Sequence, residues 1–200
     1  MEFKRTVKWW MLPCRHRKRR EVFLIFDDGP DEKFTPVLLD ILDEERVKAT
    51  FFLIGCLAEK HPFIVSEIVR RGHSVGSHTY RHLPPCRITV LSQVQDIVKG
   101  HQIVESVVGK NLRLFRPSFG AVTPGVILTA MRGIRPVHFT VDSNDWRIRD
   151  KEMLAGFLTE LPMRDGDILL FHDDLSATIA VIQQFLKRVR SEGFSFAYPE

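Results

Sequence analysis

The feature that most constrains the fold is an alternation of short runs rich in Val, Ile and Phe with longer segments of helical repeat. Seven runs are predicted strands, at 22–26, 49–53, 73–76, 112–116, 137–141, 168–171 and 194–198. Residues 35–46, 90–108 and 178–190 repeat apolar side chains every three or four positions, as one face of a helix does. Thr35 is the predicted N-cap of the first helix, with Pro36 at its first position. Strand and helix alternating to the end of the chain are typical of an α/β protein with a parallel sheet.

Length selects among the parallel architectures. A complete eightfold barrel takes about 250 residues, and this chain has 200. The sequence contains no internal repeat and no low-complexity linker. We therefore expect one domain, folded as a small, distorted or incomplete (β/α) barrel of seven or eight strands.

The charge is divided unevenly along the chain. Residues 1–20 hold eight of the 29 basic residues and one of the 25 acidic ones, so they carry +7, whereas the other 180 residues carry −3. This divides the chain into a basic N-terminal arm, 1–20, and a catalytic domain, 21–200. Because the body is mildly acidic, it is a poor candidate for coating nucleic acid. Two interpretations of the arm remain: its aromatic residues pack on the barrel, or its bases contact an anionic membrane or wall.

The cysteines and the apolar N-terminal run bear on cellular location. The three cysteines form no C-x-x-C pair, so we interpret them as reduced thiols. The apolar run at 9–12 is shorter than the roughly 7–15 residues of a signal-peptide core, and no stretch approaches the roughly 20 of a membrane span. As the sequence stands we expect a cytoplasmic monomer without a transmembrane segment; an extracytoplasmic location is the alternative if a leader had been removed.

Chemically reactive side chains follow most of the predicted strands. Because ligands bind at the carboxyl ends of parallel strands, residues distant in sequence converge there. Packing alone does not select such side chains at five separate strand ends. The residues concerned are Asp27, Asp28, His78, His82, Arg116, Pro117, Asp142, Asp145, Trp146 and His172.

Three of these residues form a candidate metal site. His78 and His82 are four apart, so on a helical turn they would share one face. With Asp28 they provide two imidazoles and a carboxylate and leave coordination positions open, which is the ligation of a catalytic zinc. Such a site also accepts cobalt, nickel or manganese. We interpret His61 and His101 as residues without a role in the site.

Five motifs in order carry a family resemblance. They are FDDGP at 26–30, HTYRH at 78–82, RPSFG at 116–120, DSNDW at 142–146 and LFH at 170–172. Together they resemble the polysaccharide deacetylase (NodB-homology) family, carbohydrate esterase family 4, whose barrel we expect here. The third motif usually reads R-P-P-Y-G, so Ser118 and Phe119 depart from the pattern; we expect altered substrate contacts and intact chemistry.

The resemblance implies a division of roles between the two aspartates. Asp28, His78 and His82 would bind the metal. Asp27 would be the general base that takes a proton from water. Arg116 would orient Asp27 and hold its pKa down.

The resemblance also implies roles at the leaving-group side. His172 would be the general acid, with Asp145 raising its pKa. The backbone N–H of Phe119 would meet the developing oxyanion, and Leu170 and Trp146 would enclose the acetyl methyl group. The residues assigned to substrate contact are Phe119, Trp146, Leu170 and Pro117.

The implied function is a metal-dependent deacetylase that hydrolyses the N-acetyl group of N-acetylglucosamine residues in a chitooligosaccharide or peptidoglycan-type glycan. The same site could serve an acetylxylan esterase or a deformylase of a lipid-linked formamido sugar. A carbohydrate-binding pseudoenzyme is the alternative of another class. Because every catalytic position is filled, the sequence favours an enzyme.

Overall fold

The computed structural model describes residues 20–197, whose core is a parallel sheet. Its strands are β1 (Glu21–Asp27), β2 (Thr50–Leu53), β3 (Ser74–Ser77), β4 (Leu114–Phe115), β5 (Arg135–Pro136), β6 (Val141–Asp142), β7 (Ile168–His172) and β8 (Ser195–Ala197). They lie in the order β5-β4-β3-β2-β1-β7-β6, and β8 pairs with the first residues of β1. Residues 1–19 of the basic arm lie outside the described residues, so Arg20 is its one described position. The last position of the predicted strand 194–198 also lies outside them.

Helices connect the strands. They are α1 (Phe34–Glu44), α2 (Gly55–Lys60), α3 (Pro62–Arg70), α4 (Val90–Val108), α5 (Pro124–Ala130), α6 (Lys151–Glu160) and α7 (Ser176–Ser191), with 3-10 turns at Pro85–Arg87 and Ser118–Gly120. Among residues 20–197, no helix combines the length and apolar character needed to cross a membrane.

The predicted incomplete barrel is confirmed, and the barrel is open between β5 and β6. The predicted strand 137–141 is wrong for most of its length, because this segment crosses the opening. The N–H of Val137 donates to Phe115 O (2.8 Å) on one side of the opening, and the N–H of Thr140 donates to Ile168 O (3.0 Å) on the other. The segment therefore joins the two edges of the sheet without forming a ladder.

The predicted N-cap of the first helix is also wrong. The helix begins at Phe34, and the carboxylate of Asp31 accepts the backbone N–H groups of Lys33 (2.8 Å) and Phe34 (2.7 Å). Thr35 lies inside the first turn and is buried. Its hydroxyl accepts the N–H of Asp31 (2.8 Å) and donates to Asp173 Oδ2 (2.5 Å). Thr35 therefore links α1 to the end of β7.

Two apolar layers cover the two faces of the sheet. On β1, Val22, Leu24 and Phe26 face the helices, whereas Phe23 and Ile25 face the interior of the barrel. The interior layer is small, and the rest of it is Phe52, Val137, Ile168 and Leu170. As in other barrels, the centre is packed with side chains and the site lies above them.

The outer layer should dominate stability. Leu38 on α1 is fully buried in it, so Leu38→Ala should lower the free energy of unfolding by about 2–5 kcal/mol. The matched variant is Leu91→Ala on α4, where the leucine is 67% exposed, and it should change stability by less than about 0.5 kcal/mol. Urea denaturation measures both, and equal effects would contradict this assignment of the core.

Candidate active site

Strand geometry gathers the chemical groups at one end of the barrel. Side chains alternate between the faces of a strand, so Asp27 points the same way as Phe23 and Ile25, toward the interior. His172 follows Ile168 and Leu170 on the same face of β7, and it is the register partner of Asp27. His78 and Arg116 stand one residue beyond β3 and β4. Four strand ends therefore place their side chains over the interior layer.

Asp28, His78 and His82 form a cluster that fits a divalent cation. One ligand atom from each lies within 4.8 Å of the others. Asp28 Oδ1 is 3.3 Å from His78 Nε2 and 3.5 Å from His82 Nε2, and it is buried without a hydrogen-bond partner in the described part of the chain. His78 Nδ1 donates to the carbonyl of Arg116 (2.8 Å), which leaves the Nε2 lone pair facing Asp28 in the neutral ring.

The surroundings of Asp28 and His82 favour the protonation states in which these side chains bind a metal. Burial raises the pKa of Asp28, but the close approach of the His78, His82 and His172 imidazoles outweighs this effect and holds the pKa well below its usual range. Burial and the neighbouring His78 lower the pKa of His82. An ionised carboxylate and a neutral imidazole are the forms that bind metal.

The expected helical turn at residues 78–82 is wrong, although the two histidines do meet, with ring centroids 4.7 Å apart. The segment is a loop in which Thr79 (φ 62°) and His82 (φ 51°) adopt left-handed backbone. Asp96 on α4 accepts the N–H groups of Tyr80 and Arg81, each at 3.2 Å. These contacts with α4 take the place of helical hydrogen bonds.

A buried ion pair lies beside the cluster. Asp27 is 3% exposed and Arg116 1%. Arg116 Nε donates to Asp27 Oδ2, and its Nη1 donates to Val137 O (3.1 Å). The guanidinium also lies 4.9 Å from the ring centroid of Phe139. Asp27 Oδ1 is buried and has no hydrogen-bond partner in the described part of the chain, so its capacity to accept a proton is unused.

His172, which is partly buried, and the buried Asp145 form a second pair. His172 Nδ1 donates to Asp145 Oδ1 (2.7 Å), and the backbone N–H of His172 donates to Oδ2 (2.8 Å). Burial lowers the pKa of His172, but the hydrogen bond and charge of Asp145, aided by Asp27 and Asp28, raise it to about 9. The imidazole is therefore protonated at neutral pH, and its free Nε2 lies 3.9 Å from Asp28 Oδ2.

Sequence reasoning missed two groups that support the site. The hydroxyl of Thr178 on α7 donates to Asp145 Oδ2 (2.7 Å). In the sequence, only its position as a hydroxyl residue near the start of a helix could have pointed to this role. Asp173 lies beneath Gly29, where a Cβ would stand 2.2 Å from its Oδ2. Burial raises the pKa of Asp173 to about 8, and its signal was an acidic residue directly after the fifth motif.

The four residues assigned to substrate contact occupy two levels. Phe119 is 63% exposed and its ring lies 4.6 Å from the ring of His82; Trp146 is 50% exposed and its Nε1 donates to Asp142 Oδ2 (3.3 Å). Both stand at the rim. Leu170 is buried in the interior layer. Pro117 is also buried and lines an apolar pocket of about 260 Å³ next to the site.

Comparisons with known proteins show which family the chain resembles. A family model described as "Polysaccharide deacetylase" matches residues 15–133. A peptidoglycan-N-acetylglucosamine deacetylase of Bacillus cereus is 32% identical over 94% of this chain and 88% of its own. A chitooligosaccharide deacetylase of Sinorhizobium fredii is 33% identical over 86% of this chain and 87% of its own.

A solved structure agrees as well. The crystal structure of a peptidoglycan N-acetylglucosamine deacetylase superposes with a TM-score of 0.82 at 30% identity, covering 90% of this chain and 86% of that one. The chain therefore belongs to the polysaccharide deacetylase family, carbohydrate esterase family 4, whose deacetylases are hydrolases of carbon–nitrogen bonds in glycans.

Proposed function

We propose that this protein uses a divalent cation to hydrolyse the N-acetyl group of N-acetylglucosamine residues in a glycan of the peptidoglycan or chitooligosaccharide class. The observation that carries the proposal is the meeting, at one end of the barrel, of a cluster that could hold a cation, a buried carboxylate paired with Arg116, and a histidine hydrogen-bonded to Asp145. Together these groups can supply the Lewis acid, the general base and the general acid of a metal-assisted amide hydrolysis, and the relatives named above are deacetylases of such glycans. The products are acetate and an amino sugar.

The cation would be held by Asp28, His78 and His82. When bound, it supplies polarisation of the acyl carbonyl and a lowered pKa of water. Zinc is the first choice for two imidazoles and a carboxylate with open positions, and cobalt, nickel or manganese suit the same ligands.

Asp27 is the proposed general base. Its Oδ1 has no hydrogen-bond partner in the described part of the chain, whereas its Oδ2 is held by Arg116. The guanidinium fixes the orientation of the carboxylate, and Oδ1 is the oxygen proposed to receive the proton of the attacking water.

His172 is the proposed general acid. Its Nδ1 is engaged by Asp145, so Nε2 is the nitrogen that can protonate the leaving amine. Nε2 lies 3.9 Å from Asp28 Oδ2, and this distance supports an acid beside the scissile carbon–nitrogen bond of a substrate held at the cation cluster. Asp27 takes one proton from water and His172 gives one proton to the leaving amine, so the protons balance over the reaction.

Phe119 and the residues around it would hold the acyl group. The left-handed backbone of Phe119 (φ 57°) turns the chain beside the cation site, and we propose that its N–H stabilises the oxyanion. Leu170 and Trp146 would contact the acetyl methyl group. The replacement of tyrosine by Phe119 leaves this N–H in place and removes a hydroxyl.

The pH dependence of turnover tests the acid. Since a protonated His172 is required, kcat should fall as pH rises through its pKa of about 9. In Asp145→Asn the charge that raises this pKa is gone, so the alkaline limb should move to lower pH by at least about one unit, equivalent to about 1.4 kcal/mol. Asp150→Asn, which alters only the cap of α6, should leave the limb in place. An unmoved limb in Asp145→Asn would remove His172 from the acid role.

Substrate choice is tested by a panel. Acetate release should be measured with chitooligosaccharides, peptidoglycan and acetylxylan side by side. Turnover of acetylxylan alone would favour an esterase. Glycan binding with no turnover under any metal would favour the carbohydrate-binding alternative.

A further inference from the structure

A buried pair of hydroxyl groups lies between the third motif and the cation site. Ser118 Oγ is 3.0 Å from Thr79 Oγ1, and the backbone N–H of His82 donates to the same Thr79 oxygen (3.1 Å). Ser118 is 5% exposed and Thr79 6%. A continuous chain of hydrogen bonds therefore runs from Ser118 to the backbone of a candidate metal ligand.

The loop at residues 78–82 depends on such contacts for its shape. Left-handed backbone at Thr79 and His82 is disfavoured for both residue types, and it persists where the surroundings impose it. Helix α4 holds the first part of the loop, because Asp96 accepts the N–H groups of Tyr80 and Arg81. The helix approaches so closely that a methyl group at Gly100 would lie 2.3 Å from the Thr79 carbonyl.

His82 is held by contacts outside α4. Its backbone N–H donates a hydrogen bond to Thr79 Oγ1, and the centroid of its imidazole lies 4.6 Å from that of the Phe119 ring. Ser118 and Phe119 are adjacent, so one short segment contacts both the backbone support and the ring of His82. The family pattern usually has proline at position 118, which offers no hydroxyl, so this contact is a property of the present sequence.

We propose that Ser118 is a positioning residue for the cation site. Its hydroxyl fixes the Thr79 side chain so that the Thr79 oxygen faces the N–H of His82, and this holds the His82 imidazole within reach of Asp28. Without the Ser118 hydroxyl, the Thr79 hydroxyl can turn away, and the apo site is then less well organised for a cation. The inference rests on the proposed function only through the metal site.

Metal affinity of the apoprotein tests the inference without any assay of turnover. Ser118→Ala and Thr79→Val should each weaken zinc binding by about 10-fold to 100-fold, as loss of an outer contact to a ligand commonly does. Ser118→Thr keeps the hydroxyl and should bind zinc within about threefold of the unchanged protein. The dissociation constant is measured by competition with a chromophoric chelator after removal of metal.

Thr129→Val is the matched control for Thr79→Val. Thr129 is fully buried, and its hydroxyl donates to Gly125 O (2.8 Å) within α5. This variant should bind zinc like the unchanged protein. At saturating zinc, Ser118→Ala should recover most of its kcat, because Asp27 and His172 are untouched.

The outcomes separate the two proposals. Unchanged zinc affinity in both Ser118→Ala and Thr79→Val, when the parent protein binds zinc, overturns the positioning role and leaves the proposed function standing. Equal weakening in Thr129→Val also overturns it, since the effect would then be general to buried hydroxyl groups. If the parent protein binds no divalent cation, both proposals fail together.

Discussion

Replacing Asp27 with asparagine should lower kcat by about 100-fold to 10,000-fold, the range typical of a lost general base, with bound metal retained. Asparagine has nearly the shape of aspartate but cannot take a proton from water. The three candidate ligands, Asp28, His78 and His82, remain unchanged. Turnover should therefore fall while the metal content stays the same. Both are measured on the same preparation, turnover by acetate release and metal by elemental analysis.

Stability must be followed in the same experiment. Asp27→Asn leaves the buried guanidinium of Arg116 without its counter-charge, and breaking a buried ion pair commonly costs about 3–5 kcal/mol. The assay should therefore be run well below the melting temperature of the variant. Asp150→Asn is the matched control and should keep both turnover and metal. Loss of metal from folded Asp27→Asn would contradict the division of roles between the two aspartates.

Removing a candidate ligand should have the opposite signature. His78→Ala should lose bound zinc and turnover together. Its metal affinity should fall by more than about 100-fold, because losing a residue that only supports a metal ligand already lowers the affinity by about 10-fold to 100-fold. The site would be left with one imidazole and one carboxylate. Equilibrium dialysis against zinc, followed by elemental analysis, measures the loss.

His61→Ala is the matched control for the ligand variant. His61 precedes α3, outside the cation cluster, and its replacement should leave zinc content and turnover near those of the parent protein. If folded His78→Ala kept a full equivalent of zinc, the assignment of His78 as a ligand would be wrong.

The long strands and helices were predictable because their apolar patterns are long enough to read. Strand β1 extends the predicted run 22–26 by one residue at each end, and α4 has the predicted bounds, 90–108. The short strands were harder to predict from the sequence. Strands β4, β5 and β6 have two residues each, too few to show an alternation. Their positions follow from pairing with neighbours, which a single sequence does not display.

The site was predictable where chemistry coincides with strand ends. Asp27 and His172 close β1 and β7, so the topology alone brings them together. The path of the chain between His78 and His82 was not predictable, because no glycine marks the turn and a β-branched threonine rarely adopts left-handed backbone. The donation from Thr178 to Asp145 joins residues 33 apart and depends on where α7 packs.

Metal-dependent acetate release from an N-acetylglucosamine oligomer tests the central claim most directly. The protein is assayed as prepared, after complete removal of metal by a chelator, and after addition of one equivalent of zinc. We predict that acetate and free amine appear in equal amounts, that release stops without metal, and that zinc restores it. Release that persists in the metal-free protein, or no release from any acetylated glycan with zinc bound, would contradict the account.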